Sequence, residues 1–312
     1  MTIMRQFFHA FSLCTALLLS SPSYAEQATT YPLTVMDATQ KMVSLDHPPL
    51  RVSSKSMFSD QVLIELLPPD HISSLSRLSN DPTYSLIANK LPTTIPLLDL
   101  NVERTIANQP DLLIAANWSD PQKVNILRQA GINVFVFNTV YTLADIEKNI
   151  LMLGKLVNQN QRAQQLVETM DRKLKQQVII PKHRLTAVEY TPWGASSNRQ
   201  STINTIFEQA GLINAIAATQ GDKYGQVPLA KEQLLLINPD VVIVPGTCGK
   251  DTNDSSNSFR KELLNDPSLQ QLNAIKHHKV ICLPQALRST DSQYIVDAII
   301  YLNHHVYGKP HA

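Results

Sequence analysis

Short apolar runs alternate with helix-periodic segments along most of the chain. Runs at 51–55 (RVSSK), 72–75 (ISSL), 112–115 (LLIA) and 133–137 (NVFVF) are bounded by turn-forming residues and read as strands. Helical segments fall between them. One covers 121–130 and is closed by Gly131, the usual residue just past a helix end. The second half repeats the scheme, with strand-like runs at 185–189 (LTAVE), 241–244 (VVIV) and 279–283 (KVICL) and a helix at 203–210 closed by Gly211. Strands and helices in alternation predict parallel sheets with helices on both faces.

A long helical stretch separates the halves. Ile146, Ile150, Leu153 and Val157 keep one apolar face, and Leu166, Met170 and Leu174 keep another. Gln159-Asn160-Gln161 marks a break between the two faces. Residues 161–178 contain almost no turn formers, so a rigid helix over 158–180 is expected rather than a flexible linker. The expected fold is therefore α/β: two doubly wound lobes, 26–157 and 181–312, joined by one long rigid helix, with a ligand cleft between them. Lobes joined in this way open and close little.

A phrase in the first half returns in the second. ERTIANQPDLLI at 103–114 and EQLLLINPDVVI at 232–243 share the spacing from Glu to Pro-Asp and lie 129 positions apart. Each reads as a short helix stopped by Pro-Asp and followed by an apolar strand, which supports two similar lobes. Each also opens on a glutamate, Glu103 or Glu232, that the local fold does not require.

The first 25 residues stand outside this pattern. Arg5 precedes an apolar stretch from 7 to 19, and Ser23-Tyr24-Ala25 presents small residues at the positions a signal peptidase reads. This is a secretory signal, cleaved after Ala25, and it is too short and wrongly flanked for a membrane span. Cys14 lies in a poor lipobox, so a soluble periplasmic product is expected. Without the leader's Arg5, the 27 basic and 26 acidic residues balance. That balance gives no basic footprint for nucleic acid. Cys248 and Cys282 remain, and in an exported chain they are either a disulfide or two free thiols.

Leader, two lobes, crossing helix and paired phrases together resemble the class III periplasmic substrate-binding proteins, which serve ABC importers of ferric siderophores, cobalamin and haem. RVSSKS at 51–56 matches that family's opening strand and turn, LRQAGINV at 127–134 its "L-x-x-A-G-I-x-V" segment, and IFEQAGLIN at 206–214 and VICLP at 280–284 its second lobe. The resemblance implies that Glu103 and Glu232 meet arginines of a permease dimer, one acid per lobe. Two carboxylates on two lobes can engage two positive pockets and fix orientation. It also implies a monomer without a catalytic residue or a bound cofactor.

Ligands of open α/β sheets sit beyond the carboxyl ends of the strands. That rule selects Ser56, Met57, Phe58, Arg77, Tyr84, Trp118 and Tyr141 in the first lobe. In the second it selects Trp193, Arg199, Tyr224, Lys250 and Arg288. Aromatic walls with a few cations suit a large, partly apolar, anionic ligand. A ferric siderophore is the expected cargo, with Arg77, Arg199 and Arg288 answering its charge and Trp118, Trp193 and Tyr224 stacking on it. A corrinoid is the alternative, favoured by an aromatic and neutral cleft. Haem, ligated by Tyr84, Tyr141 or Tyr224, comes third. The histidines fall outside the cleft loops, and the adjacent pairs 277/278 and 304/305 do not suit chelation of one metal. A periplasmic enzyme on the same bilobed fold would need a titratable pair facing the cleft, and none has that spacing. A surface adhesin would lack a closed pocket. The segment PGTCGK at 245–250 has two residues between its glycines where a phosphate loop needs four. Residues 249–258 are polar and read as a surface loop.

Overall fold

The computed structural model describes residues 29–246, 248 and 255–308, so the leader and Lys250 lie outside the described residues. An antiparallel hairpin comes first, β1 (Leu33–Met36) and β2 (Met42–Leu45). The first lobe follows: β3 (Val52–Ser54), α1 (Met57–Leu66), β4 (Ile72–Ser74), α2 (Val102–Ala107), β5 (Leu112–Ala116), α3 (Pro121–Gln129) and β6 (Val134–Phe137). Two helices lead out of it, α4 (Leu143–Leu156) and α5 (Asn160–Gln177).

The second lobe opens with β7 (Leu185–Glu189), β8 (Ala195–Ser197), α6 (Thr202–Gln209), β9 (Leu212–Asn214), β10 (Gln226–Pro228) and α7 (Lys231–Ile237). It ends with β11 (Val241–Gly246), α8 (Ser255–Asn265), α9 (Asn273–Lys276), β12 (Val280–Pro284), α10 (Gln285–Arg288) and α11 (Ile295–Tyr307). The helix α8 replaces the end of the expected surface loop.

Each lobe holds a four-stranded parallel sheet, ordered β4-β3-β5-β6 in the first and β12-β11-β7-β9 in the second. Counted within its own lobe, each order reads second, first, third, fourth. The sequence repeat is thus a repeat of topology. The Pro-Asp of each phrase has a shared task as well. Asp111 accepts hydrogen bonds from the Leu50 and Arg51 backbone N–H groups at 2.8 and 2.9 Å. Asp240 accepts from the Thr186 N–H and hydroxyl at 2.9 and 2.7 Å. Each carboxylate ties the start of its lobe's third strand to the start of the first.

The crossing element is α5, an 18-residue helix. The break falls just before it, where Asn158 takes a positive φ of 56°. A Cβ on Gly154 would stand 2.3 Å from the Ala163 Cβ, so only glycine lets α4 and α5 approach this closely. Ala163, Val167 and Met170 of α5 belong to one apolar cluster that includes Val52 and Ile114 of the first sheet and Ala187 and Ile243 of the second. Side-chain bonds reinforce this bridge. Arg162 donates to the Leu66 carbonyl at 2.9 Å, and Lys173 pairs with Asp297 at 2.8 Å.

Candidate functional site

In a second-first-third-fourth sheet, the connections after strands one and three leave toward opposite faces and open a crevice between them. In the first lobe those connections begin at Lys55 and Asn117, and in the second at Tyr190 and beyond Gly246. Both tryptophans of the chain lie on them. Trp118 stands two positions past β5, 50 % exposed, and Trp193 four positions past β7, 56 % exposed. Asn117, beside Trp118, donates to Asn138 at 2.6 Å and accepts from the Thr139 hydroxyl at 2.9 Å. Trp193 sits on a turn closed by Thr191, whose hydroxyl donates to the Ala195 carbonyl at 2.7 Å and accepts from the Ala195 N–H at 2.9 Å.

Arg288 lies beneath that turn. Its guanidinium carbon is 5.6 Å from the Trp193 ring centroid, within cation–π range. Its Nε donates to Glu189 at 2.5 Å, and the other oxygen of Glu189 accepts from the Ser197 hydroxyl at 2.7 Å. Glu189 is buried, so the carboxylate neutralises Arg288 inside the lobe wall. Arg77 is paired too, with Asp99 at 2.9 Å on the surface. Arg199 is exposed and donates to the Ala217 carbonyl at 3.0 Å, with no ion pair among the described residues. Two of the three cations expected to answer ligand charge therefore have carboxylate partners of their own.

The other candidates are placed as follows. Tyr84 and Tyr224 are exposed, and the Lys223 ammonium lies 4.8 Å from the Tyr224 ring centroid. Tyr141 is half-buried where the lobes meet, its carbonyl accepting from the Thr205 hydroxyl of α6 at 2.5 Å. Phe58 differs from expectation. It is buried and packs edge-on against Phe137 with ring centroids 5.3 Å apart. The α1 turn that leaves Met57 half-buried sends the next side chain into the core, so Phe58 supports the first lobe from within. Ser56 caps α1 through the Ser59 N–H. Cys248 and Cys282 are bonded as a disulfide at the edge strand β12. Glu103 and Glu232 each occupy the second position of their helices, α2 and α7, and both are exposed. Two surface depressions, about 500 Å³ near Asp46 and Asp111 and about 340 Å³ near Arg260 and His305, are lined by neither tryptophan and by none of Arg77, Arg199 and Arg288.

A sequence profile described as periplasmic binding protein matches residues 52–287. The chain belongs to this family. Among its relatives is an uncharacterized ABC transporter substrate-binding lipoprotein, YvrC, of Bacillus subtilis (strain 168), 23 % identical over 91 % of this chain and 89 % of that protein. A cobalamin-binding protein of Halobacterium salinarum is 27 % identical over 70 % of this chain and 60 % of that protein. A solved structure from Saccharomonospora viridis, titled as an ABC-type Fe3+-hydroxamate transport system, superposes with a TM-score of 0.68 at 20 % identity. It covers 89 % of this chain and all of that one, and this likeness shows the bilobed fold.

The seam between the lobes of this binding protein holds residues that sequence reasoning passed over. Gln61 of α1 accepts from the hydroxyls of Thr290, at 3.2 Å, and Ser292, and its own carbonyl accepts from the Gln293 amide at 2.8 Å. Tyr294 donates to Glu65 and accepts from Lys90, both at 3.2 Å. Asp60, wholly buried, accepts from the hydroxyls of Ser76 and Ser79 and from the Ser76 N–H. Burial pushes its carboxyl above the usual range, and the serine bonds oppose that rise. Asp291 is pushed up to about 6, first by burial and then by the nearby Asp60 charge. Burial lowers Lys55 to about 8, against the pull of Asp60 and Asp99. One signal was available beforehand: a glutamate inside the apolar run LTAVE, where a parallel strand buried on both faces tolerates only a paired charge. The partners of Asp60 and Gln61 left no such mark, because serines and threonines are common in loops.

Proposed function

We propose that this chain is the exported, solute-capturing component of an ABC importer and that its ligand is a corrinoid, with cobalamin as the type compound. The observation that carries the ligand class is the internal pairing of Arg77 with Asp99 and of Arg288 with Glu189. Those pairs withdraw two charges from an anionic cargo and leave walls of tryptophan, tyrosine and amide side chains. Such walls suit a bulky ring rimmed with amides. The cobalamin-binding relative from Halobacterium salinarum supports the same choice. Trp118, Trp193 and Tyr224 stack on the ligand, Tyr84 and Tyr141 flank it, and Arg199 is the cation left to meet a polar group. A ferric siderophore is the second reading, favoured by that unpaired Arg199. Glu103 and Glu232 dock the loaded protein on the permease.

The chain has two tryptophans, both half-exposed on the crevice loops, so intrinsic fluorescence reports the site directly. Purified mature protein is titrated with cyanocobalamin, a ferric hydroxamate and haemin. Saturable quenching by cyanocobalamin that is lost in Trp193→Ala supports the corrinoid. Quenching by the ferric hydroxamate alone replaces it with a siderophore, and no response to any of the three overturns the importer reading.

A further inference from the structure

Each proposed docking acid has an exposed aliphatic neighbour on its own helix face. On α7, Leu234 is buried and Leu235 and Ile237 pack against the lobe core, while Leu236 is turned out and 85 % exposed. Leu236 follows Glu232 by four positions, which puts the two side chains on one face about 5–6 Å apart. On α2, Thr105 is buried, Val102 packs inward, and Ile106 is 40 % exposed three positions after Glu103. The two helices are the repeated elements of the two lobes. The acids correspond in the repeat; the exposed aliphatic residue follows three positions on in α2 and four positions on in α7, so each helix offers an acid beside an aliphatic side chain.

The surroundings narrow what can cover these pairs. Neither Glu103 nor Glu232 takes part in an ion pair among the described residues. Lys231, next to Glu232, is bound at 2.5 Å by Asp266, which acts on it more strongly than the glutamate does. A face that combines free carboxylate with apolar surface is repelled by anionic lipid. It complements a protein surface bearing a cation beside an apolar hollow.

We infer that Leu236, and to a lesser degree Ile106, are binding contacts for the permease, each seated in an apolar hollow beside the basic group that receives its glutamate. This rests on the docking role proposed for Glu103 and Glu232. It adds an attraction that salt does not screen, and it makes the second lobe the stronger anchor because Leu236 is the more exposed.

The test uses full-length protein in its native cells, with a photo-crosslinking amino acid at position 236 and, as a control, at Ile180, which is 90 % exposed in the segment after α5. A crosslink from 236 to a multi-spanning permease subunit, identified by mass spectrometry and absent from 180, is the expected result. A crosslink-neutral variant, Leu236→Ser, should weaken recovery of the permease by a separately crosslinked position on α2 about tenfold, the scale of one buried leucine. No permease adduct from 236, or undiminished capture with Leu236→Ser, overturns the inference. If Glu103→Arg with Glu232→Arg still abolishes capture in that case, the acids dock without their aliphatic neighbours. If both variants dock normally, the docking reading itself fails.

Discussion

Glu189→Gln isolates the pair that sets the charge of the second lobe's wall. The carboxylate is 1 % exposed and holds Arg288 at 2.5 Å, while the arginine side chain keeps 16 % exposure. Removing one partner of a buried pair costs about 3–5 kcal/mol, because the remaining charge stays desolvated. Arg288 retains some water and the face of Trp193 at 5.6 Å, so the loss sits at the low end, about 3 kcal/mol. Arg288→Met with Glu189→Gln removes both charges and should return to within about 1 kcal/mol of the parent. Arg288→Met alone strands the buried Glu189 carboxylate and should also cost about 3 kcal/mol, so urea unfolding of the parent, both single variants and the double variant closes a cycle whose coupling is expected at about 5 kcal/mol. Additive losses, or a single-variant cost below about 1 kcal/mol, would refute the claim that Glu189 neutralises Arg288.

Reversing both docking acids, Glu103→Arg with Glu232→Arg, should leave cyanocobalamin quenching unchanged and abolish uptake; normal uptake by cells carrying this variant as their sole copy removes the docking role. Replacing Cys248 and Cys282 by serine opens a loop of 34 residues' separation and should cost about 4 kcal/mol against the oxidised parent in guanidinium unfolding, and a loss below 1 kcal/mol contradicts it. Asp291 is held at about 6, above its ordinary 3.8, so the folded chain binds that proton more tightly than the unfolded chain does. The stability it gives is full below pH 4 and is lost as the pH climbs through 6. Asp291→Asn should flatten that fall and raise the urea midpoint at pH 7, and an unchanged pH slope between 4.5 and 7.5 counts against the seam as its origin.

The lobes were legible because their strands are buried on both faces and read as unbroken apolar runs. The three-residue strand β9 escaped notice because it starts directly after Gly211 and is too short to show a period. The hairpin of β1 and β2 did carry an alternating pattern, buried at Leu33, Val35, Val43 and Leu45, but it precedes the repeating scheme and was passed over. At the site, position was legible and pairing was not. Trp118 and Trp193 follow strand ends in the chain itself. Glu189 and Arg288 are 99 residues apart, and their contact depends on β7 and β12 flanking β11. The proposed ligand moved from anionic to neutral chiefly for that reason: sequence shows that an arginine is present and conceals what already occupies it.

The same distinction bears on how the lobes move. One apolar cluster runs from β3 through α5 into β11, and a wide hinge opening would expose part of it to water. The seam around Gln61 is of another kind. Its bonds come from the Thr290 and Ser292 hydroxyls and the Gln293 amide, which can exchange partners over short displacements without uncovering apolar surface. Within it the Gln61 amide nitrogen and the Gln293 amide oxygen are buried without a hydrogen-bond partner, a donor and an acceptor on opposite lobes. A small slide that brought them together would satisfy both. The core thus resists separation of the lobes while the seam permits adjustment. On the docking role proposed for Glu103 and Glu232, such a core favours a nearly constant spacing of the two acids and a small closure over a large one.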